Sequence, residues 1–333
     1  MTDEGKSAIW SAYREGKPDR VPVLLGTNPR VVVLNPAWNP GGVTFRQVMT
    51  DPETHLRVSL QHALYRRRVI NRYCDEPTEL PEIWQASLMV YNIYDAAYLG
   101  APIHHFDDQV PDTRPCLMES NRETVFEIDI TRPLENPFIR HWLAFWEAMR
   151  DISKGMRFEG RPVELAPWEL LGFDGPVTVA LNLRGPDFLE ELLTDPDYSD
   201  RLMTFIVDAA AHRRRAMLGY WNGRNGTEGN GLADDSIAML GTDTYVERVL
   251  PVHRRWYHSN GGRGERSMHL CGDATRLFPT IHEQLGVTSF DTGFPVDFAA
   301  LREQLGEGVQ VQGGPEVATL LQATPDQVYQ RTA

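Results

Sequence analysis

A histidine and a cysteine stand two residues apart at the end of an apolar run, Ser267-Met268-His269-Leu270-Cys271, with Gly272-Asp273 directly after them. In an extended strand, residues i and i+2 project to the same side, so His269 and Cys271 can reach one ion together. Imidazole nitrogen and thiolate sulfur both suit a borderline-soft metal such as zinc. Two ligands do not complete a zinc shell, which needs three or four. Each residue also has a plainer role. Cys271 could be a small buried hydrophobe, His269 a satisfied core donor, Asp234 the cap of the following helix, and Asp291 an Asx-type turn before Thr292-Gly293.

These side chains need a scaffold that gathers strand ends. Apolar runs of strand length begin near residues 21, 87, 176, 229, 266, 287 and 308, and helical patterns lie between them. The runs are Val21–Gly26, Ser87–Ile93, Gly175–Leu183, Glu228–Asp235, Arg266–Cys271, Val287–Asp291 and Val309–Gly313. Helices are expected over 5–16, 51–73, 138–156, 188–218 with a break at Asp195-Pro196, 243 past His253 with a kink at Pro251, 274–285 and 297–305. Such alternation predicts a parallel sheet with helices packed outside it, an α/β chain of the (β/α)8 TIM-barrel type preceded by an N-terminal helical extension. Residues 1–333 read as one barrel domain, with an irregular excursion over about 101–135 that includes the alternating segment Val125–Ile130 and carries a hairpin. Seven strands are one short of a closed barrel, so the eighth is expected to be missing from this chain. In such a barrel the chemistry gathers at the C-terminal ends of the strands, which here present Asn28, Asn92, Asn182, Asp234 with Asp235, His269 with Cys271, Asp291 and Gln312. The amides of Asn28, Asn92, Asn182 and Gln312, with Asp291, are the expected substrate-binding groups.

Bulk properties narrow the class. The chain has 333 residues, is 41% hydrophobic and carries a formal net charge of −13, which supports a sizeable core and argues against nucleic acid or an anionic membrane as partner. Three widely spaced cysteines describe no disulfide framework and point to a reducing, cytoplasmic setting. The polar start Met-Thr-Asp-Glu-Gly-Lys is not a signal peptide, and no run approaches the length of a membrane span.

Five stretches stand in order along the chain: Lys17-Pro18-Asp19-Arg20-Val21-Pro22-Val23, Gly175-Pro176-Val177-Thr178, His269-Leu270-Cys271-Gly272-Asp273, Gln312-Gly313-Gly314-Pro315 and Thr324-Pro325-Asp326-Gln327-Val328. Together they resemble the uroporphyrinogen decarboxylase superfamily, which includes cobalamin-dependent methyltransferases. The decarboxylase branch carries an aspartate in a Phe-Ser-Asp pattern at the second strand, where this chain has Val90-Tyr91-Asn92. Its third-strand tyrosine corresponds here to Asn182, and its arginine-rich loop has no match after Gly26. The methyltransferase branch carries His-x-Cys-Gly, matched by His269-Leu270-Cys271-Gly272, and a further cysteine near the C-terminus that this sequence lacks. The resemblance therefore implies a zinc-assisted transfer of a methyl group between a corrinoid or a methylated small molecule and a thiol or folate acceptor. Zn²⁺ would sit on His269 and Cys271, with Asp234 or Asp235 or water completing the shell, and the corrinoid would be carried by a partner protein. Two other readings remain open at this level: a metal-free decarboxylase or lyase using Asp234 and Asp235 on a carboxylate or tetrapyrrole, and a non-catalytic barrel that binds a corrinoid or tetrapyrrole.

Overall fold

The computed structural model describes residues 1–221, 230–259, 264–293 and 296–332. The chain divides into two compact units, the first formed by Met1–Ile93, Ile103–Asp112 and Pro137–Trp168, the second by Tyr94–Pro102, Thr113–Asn136 and Glu169–Ala333.

In the first unit, helix α1 (Asp3–Arg14) starts at the hydroxyl of Thr2, and α2 (Pro52–Arg68) starts at the carboxylate of Asp51 with proline in its first turn. Strand β1 (Trp84–Ala86) follows, then α3 (Pro137–Ser153), whose Ile139, Trp142, Phe145, Trp146 and Met149 recur at helical spacing and are buried. The hairpin β2 (Arg157–Phe158) and β3 (Arg161–Leu165) completes a three-stranded sheet in which β1 runs parallel to β3, Trp84 opposite Val163.

Two expected strands of this unit do not form, because side chains take the backbone groups that a ladder would use. Val21–Gly26 is extended but unpaired: the amide of Val23 donates to the Asp75 carboxylate at 2.7 Å, and Arg20 grips the same carboxylate with two bonds of 2.7 Å. Along Ser87–Ile93, the Ser87 amide donates to the Ser59 hydroxyl at 3.1 Å and the Met89 amide to Nε2 of His55 at 3.1 Å. The segment then turns through a short 3₁₀ helix at Tyr91–Ile93.

The second unit opens with the short helix Tyr94–Tyr98. In the expected excursion the paired strands are Ile103–His104 and Asp112–Thr113, while the alternating segment Val125–Ile130 overlaps a 3₁₀ helix over Arg122–Glu127. The apolar, β-branched run after Gly175 is helix α4 (Pro176–Arg184), not a strand. Its N-terminal amides at Val177 and Thr178 donate to Asp234 at 3.2 and 2.8 Å, so a carboxylate more than fifty residues away decides its conformation. Gly175 enters this helix at φ +81°, where a Cβ would lie 2.4 Å from the Ala233 carbonyl oxygen. Helix α5 (Asp187–Thr194) and α6 (Pro196–Tyr220) are separated by the break expected at Asp195-Pro196, and Asp195 caps α6.

From here the alternation holds. Strand β4 (Asn230–Ala233) is described, while the first residues of the expected run, Glu228 and Gly229, lie outside the described residues. A π-helical turn at Tyr245–Val249 leads into α7 (Leu250–Ser259), next to Pro251, which has no amide to give and crowds the preceding turn. Then follow β5 (Arg266–Leu270), α8 (Phe278–Leu285), β6 (Val287–Thr292), α9 (Phe298–Leu305), β7 (Gln310–Gln312), α10 (Val317–Gln322) and α11 (Pro325–Thr332). Strands β4-β5-β6-β7 form one parallel sheet in sequence order. Parallel neighbours in sequence order are what right-handed βα crossovers produce. Among the described residues the strands form separate sheets and do not close into a barrel. None of the described helices is long and apolar enough to cross a membrane.

Candidate metal centre

Register places the site. Ala233, His269, Asp291 and Gln312 lie side by side across β4, β5, β6 and β7, and in a parallel sheet such neighbours project to the same face. Two residues further along, Asp235 and Cys271 project to that face again. Asp235, His269 and Cys271 accordingly offer an oxygen, a nitrogen and a sulfur that all lie within 4.8 Å of one another. Gly272 turns the chain away immediately after Cys271, at φ +83°.

Each donor is held by its neighbours. Nδ1 of His269 lies 2.8 Å from Oδ2 of Asp291, and with its proton donated there the lone pair of Nε2 is left free. Nε2 stands 3.1 Å from the sulfur of Cys271 and 3.7 Å from Oδ1 of Asp235. The Cys271 amide donates to Oδ1 of Asp235 at 2.6 Å, which fixes the carboxylate over the end of the neighbouring strand. The hydrogen bond to Asp291 raises the His269 pKa above its ordinary value, against the opposing effect of burial. Partial burial and the carboxylates of Asp235 and Asp291 push the Cys271 thiol up. Among the described residues neither Asp235 nor Asp291 forms an ion pair with lysine or arginine. A thiol, an imidazole and a carboxylate that converge without a balancing cation fit a borderline metal such as zinc, which would keep the thiolate ionised.

The C-terminal half of the chain, residues 168–333, matches the family model of uroporphyrinogen decarboxylase (URO-D). It belongs to that family. Within it, the chain is 31% identical over 163 residues to a methylated-thiol–coenzyme M methyltransferase of Methanosarcina mazei, a match that spans 47% of this chain and 41% of that relative's length. The fold is also similar to that of a solved methyltransferase from Methanosarcina mazei, with a TM-score of 0.57, 16% sequence identity, and coverage of 94% of this chain and 83% of the other.

The geometry brings some of the expected site residues together and separates others. His269, Cys271 and Asp235 come together, Asp291 stands behind His269, and Gln312 is exposed in the same row. Asp234 does not share the open site with Asp235. One residue out of phase, it projects to the opposite face, fully buried, where it accepts from Val177, from the Thr178 amide and hydroxyl, and from Nε2 of His253 at 2.9 Å. It caps a preceding helix rather than the following one. Asn182 lies half-buried within helix α4, not at a strand end. Asn28 and Asn92 belong to the N-terminal unit, where Asn28 accepts from the Arg30 amide at 3.0 Å and Asn92 is exposed in the 3₁₀ turn.

Sequence reasoning passed over a half-buried carboxylate beside β4, at Asp174. Phe173 accepts from the Ala233 amide at 2.9 Å, which lays residues 173–175 along that strand. Asp174 receives the Tyr94 hydroxyl on Oδ1 at 3.1 Å, and its own amide donates to Oδ2 of Asp95 at 2.9 Å. Asp95 is paired with Arg213, which also donates to the carbonyl of Gly172. Burial first, then the nearby Asp95 carboxylate, raises the Asp174 pKa to about 7. A usable signal was present in α6. Arg213 continues the Leu202, Ile206, Ala209 buried stripe, and a charge on an apolar helical face needs a buried partner.

Proposed function

We propose that the chain is a zinc-assisted methyltransferase that delivers a methyl group from a methylated corrinoid, carried by a partner protein, to a thiol. The convergence of Asp235, His269 and Cys271 within 4.8 Å carries this reading, and the thiol acceptor is suggested by the name of the methanosarcinal relative. The parallel sheet β4 to β7 with its helices is read as part of a (β/α)8 barrel whose strand ends form the mouth. Zinc bound here would lower the pKa of an acceptor thiol and keep its sulfur nucleophilic near neutral pH.

The chain's own residues perform the rest. Asp235, His269 and Cys271 would hold the ion, and Asp291 keeps the imidazole in the tautomer that presents Nε2. Gln312, exposed in the same row, would hydrogen-bond the acceptor. The metal-free lyase alternative asks Asp234 and Asp235 to work as an acid–base pair, and the burial of Asp234 on the opposite face counts against it.

The test is metal content and methyl transfer from methylcobalamin to 2-mercaptoethanol, for wild type, His269→Ala and Cys271→Ala. Stoichiometric zinc and its loss together with activity in both variants are expected. Full activity of metal-free wild-type protein would overturn the proposal.

A further inference from the structure

The first unit holds an open pocket of about 450 Å³ lined by Met1, Lys6, Arg67, Arg68, Arg72 and Thr78. Four of these side chains are cations and none is an acid, in a chain whose net charge is −13. They come from three elements: Lys6 from α1, Arg67 and Arg68 from the last turn of α2, and Arg72 from the 3₁₀ turn Ile70–Tyr73. Arginine at a helix C-terminus is ordinary, because the carbonyl end of a helix favours positive charge. That does not account for a lysine from another helix brought to the same recess.

Lys6 is 4% exposed, and its ammonium donates to the carbonyls of Asn71 and Glu76, the second at 2.8 Å. An ammonium has three N–H donors, so one is left without a partner among the described residues. A buried charge ordinarily sits against an opposite charge. Among the described residues, however, Lys6, Arg67 and Arg72 form no ion pair, and of the four cations only Arg68 has one, with Glu159. The acids nearby are already engaged. Asp3 accepts from the amide and hydroxyl of Thr78 and from the Glu79 amide, all at 2.9 Å, and Glu76 is paired with Arg66. Arg67 donates to the carbonyl of Glu79, a neutral acceptor. Burial pushes its guanidinium below the ordinary value, and the carboxylates of Asp3 and Glu76 offset this only in part.

We propose that this pocket binds the phosphate or pyrophosphate group of a small molecule, with Lys6, Arg67 and Arg72 as its cations. Three uncompensated positive charges exceed what one carboxylate balances, whereas a phosphate spreads multiple negative charge over several strong acceptor oxygens. Guanidinium groups match that geometry with paired N–H donors. The pocket has the volume of a small-molecule site. Its lining contains no aromatic ring and no side-chain amide, so it grips the phosphate end and leaves the remainder of the ligand in solvent.

Calorimetric titration of pyrophosphate, inorganic phosphate and acetate into the full chain at fixed ionic strength tests this. Saturable binding of one pyrophosphate per chain is expected, with phosphate weaker and acetate without effect. Arg67→Gln and Arg72→Gln should each weaken pyrophosphate about 10-fold, the loss of a charge-assisted hydrogen bond. Arg57→Gln, an exposed change on the same helix at an arginine paired with Glu53, should not. Lys6 is left intact, because its bonds to Asn71 and Glu76 tie α1 to the chain that follows α2. No saturable pyrophosphate binding by wild type, or equal affinity in wild type, Arg67→Gln and Arg72→Gln, would overturn the proposal. Association with phosphatidic acid vesicles while free pyrophosphate stays unbound would assign these cations to a lipid headgroup and overturn the small-molecule reading. Neither result depends on the zinc site, whose donors belong to the second unit.

Discussion

His253 and Asp234 approach to 2.9 Å with neither side chain accessible to solvent, whereas His269 and Asp291 approach to 2.8 Å with side chains 40% and 53% exposed. The two pairs belong to the same unit and have the same chemistry. In the buried pair every polar atom is consumed: Asp234 accepts four hydrogen bonds, and Nδ1 of His253 meets the Tyr245 hydroxyl at 3.2 Å. In the open pair one nitrogen is spent on orientation and the other stands beside Cys271 and Asp235. Burial turns a histidine–aspartate pair into a structural joint, because unmet polar groups are costly there, while exposure leaves capacity for a ligand.

The most severe way to break this comparison is Asp234→Ala. It strands two helix N-terminal amides and the His253 ring, and should cost about 3–5 kcal/mol in urea unfolding while the folded fraction keeps its affinity for zinc. A loss below about 1 kcal/mol would show that burial is not what distinguishes the pairs.

His55 of the N-terminal unit is buried with no carboxylate beside it among the described residues, and burial lowers its pKa from 6.5 to about 4. The folded state therefore binds fewer protons than the unfolded state between these values. The stability is fully present above pH 6.5 and is lost as pH falls toward 4, by roughly 3 kcal/mol in all. Unfolding of wild type and His55→Gln over this range should differ by that slope, and parallel pH profiles would refute it.

Asp291→Asn probes the open pair. Zinc affinity, measured against a chromophoric chelator, should fall about 10- to 100-fold, with stability within about 0.5 kcal/mol of wild type. Large destabilisation with unchanged zinc affinity would invert the assignment. The smallest effect is expected for Gln312→Ala, which should raise KM for the thiol by roughly 2- to 10-fold and leave zinc affinity alone. An unchanged KM would remove Gln312 from the acceptor site.

Much of the C-terminal half was legible in the sequence. Arg266–Leu270, Val287–Thr292 and Gln310–Gln312 are strands in the expected order, because buried parallel strands read as short apolar runs between helical patterns. His269 and Cys271 share a face as their spacing requires, and the same parity separates Asp235 from Asp234, although the two had been grouped by adjacency alone. The N-terminal unit was less legible. Ser87–Ile93 has a strand's composition, but Ser59 and His55 occupy its amides. Val177–Val179 has strand propensity, yet Asp234 caps it into a helix.

Local pattern by itself determined which residues could be ligands and which of them share a strand face, since side-chain alternation follows from backbone geometry alone. Only the tertiary structure decided that Asp235 joins His269 and Cys271 within 4.8 Å, that Asp291 bonds the imidazole, and that Asp174 shares a cluster with Tyr94, Asp95 and Arg213. Those relations join residues from 22 to 118 positions apart. They depend on register between strands and on where buried charges find partners, which no window of sequence contains.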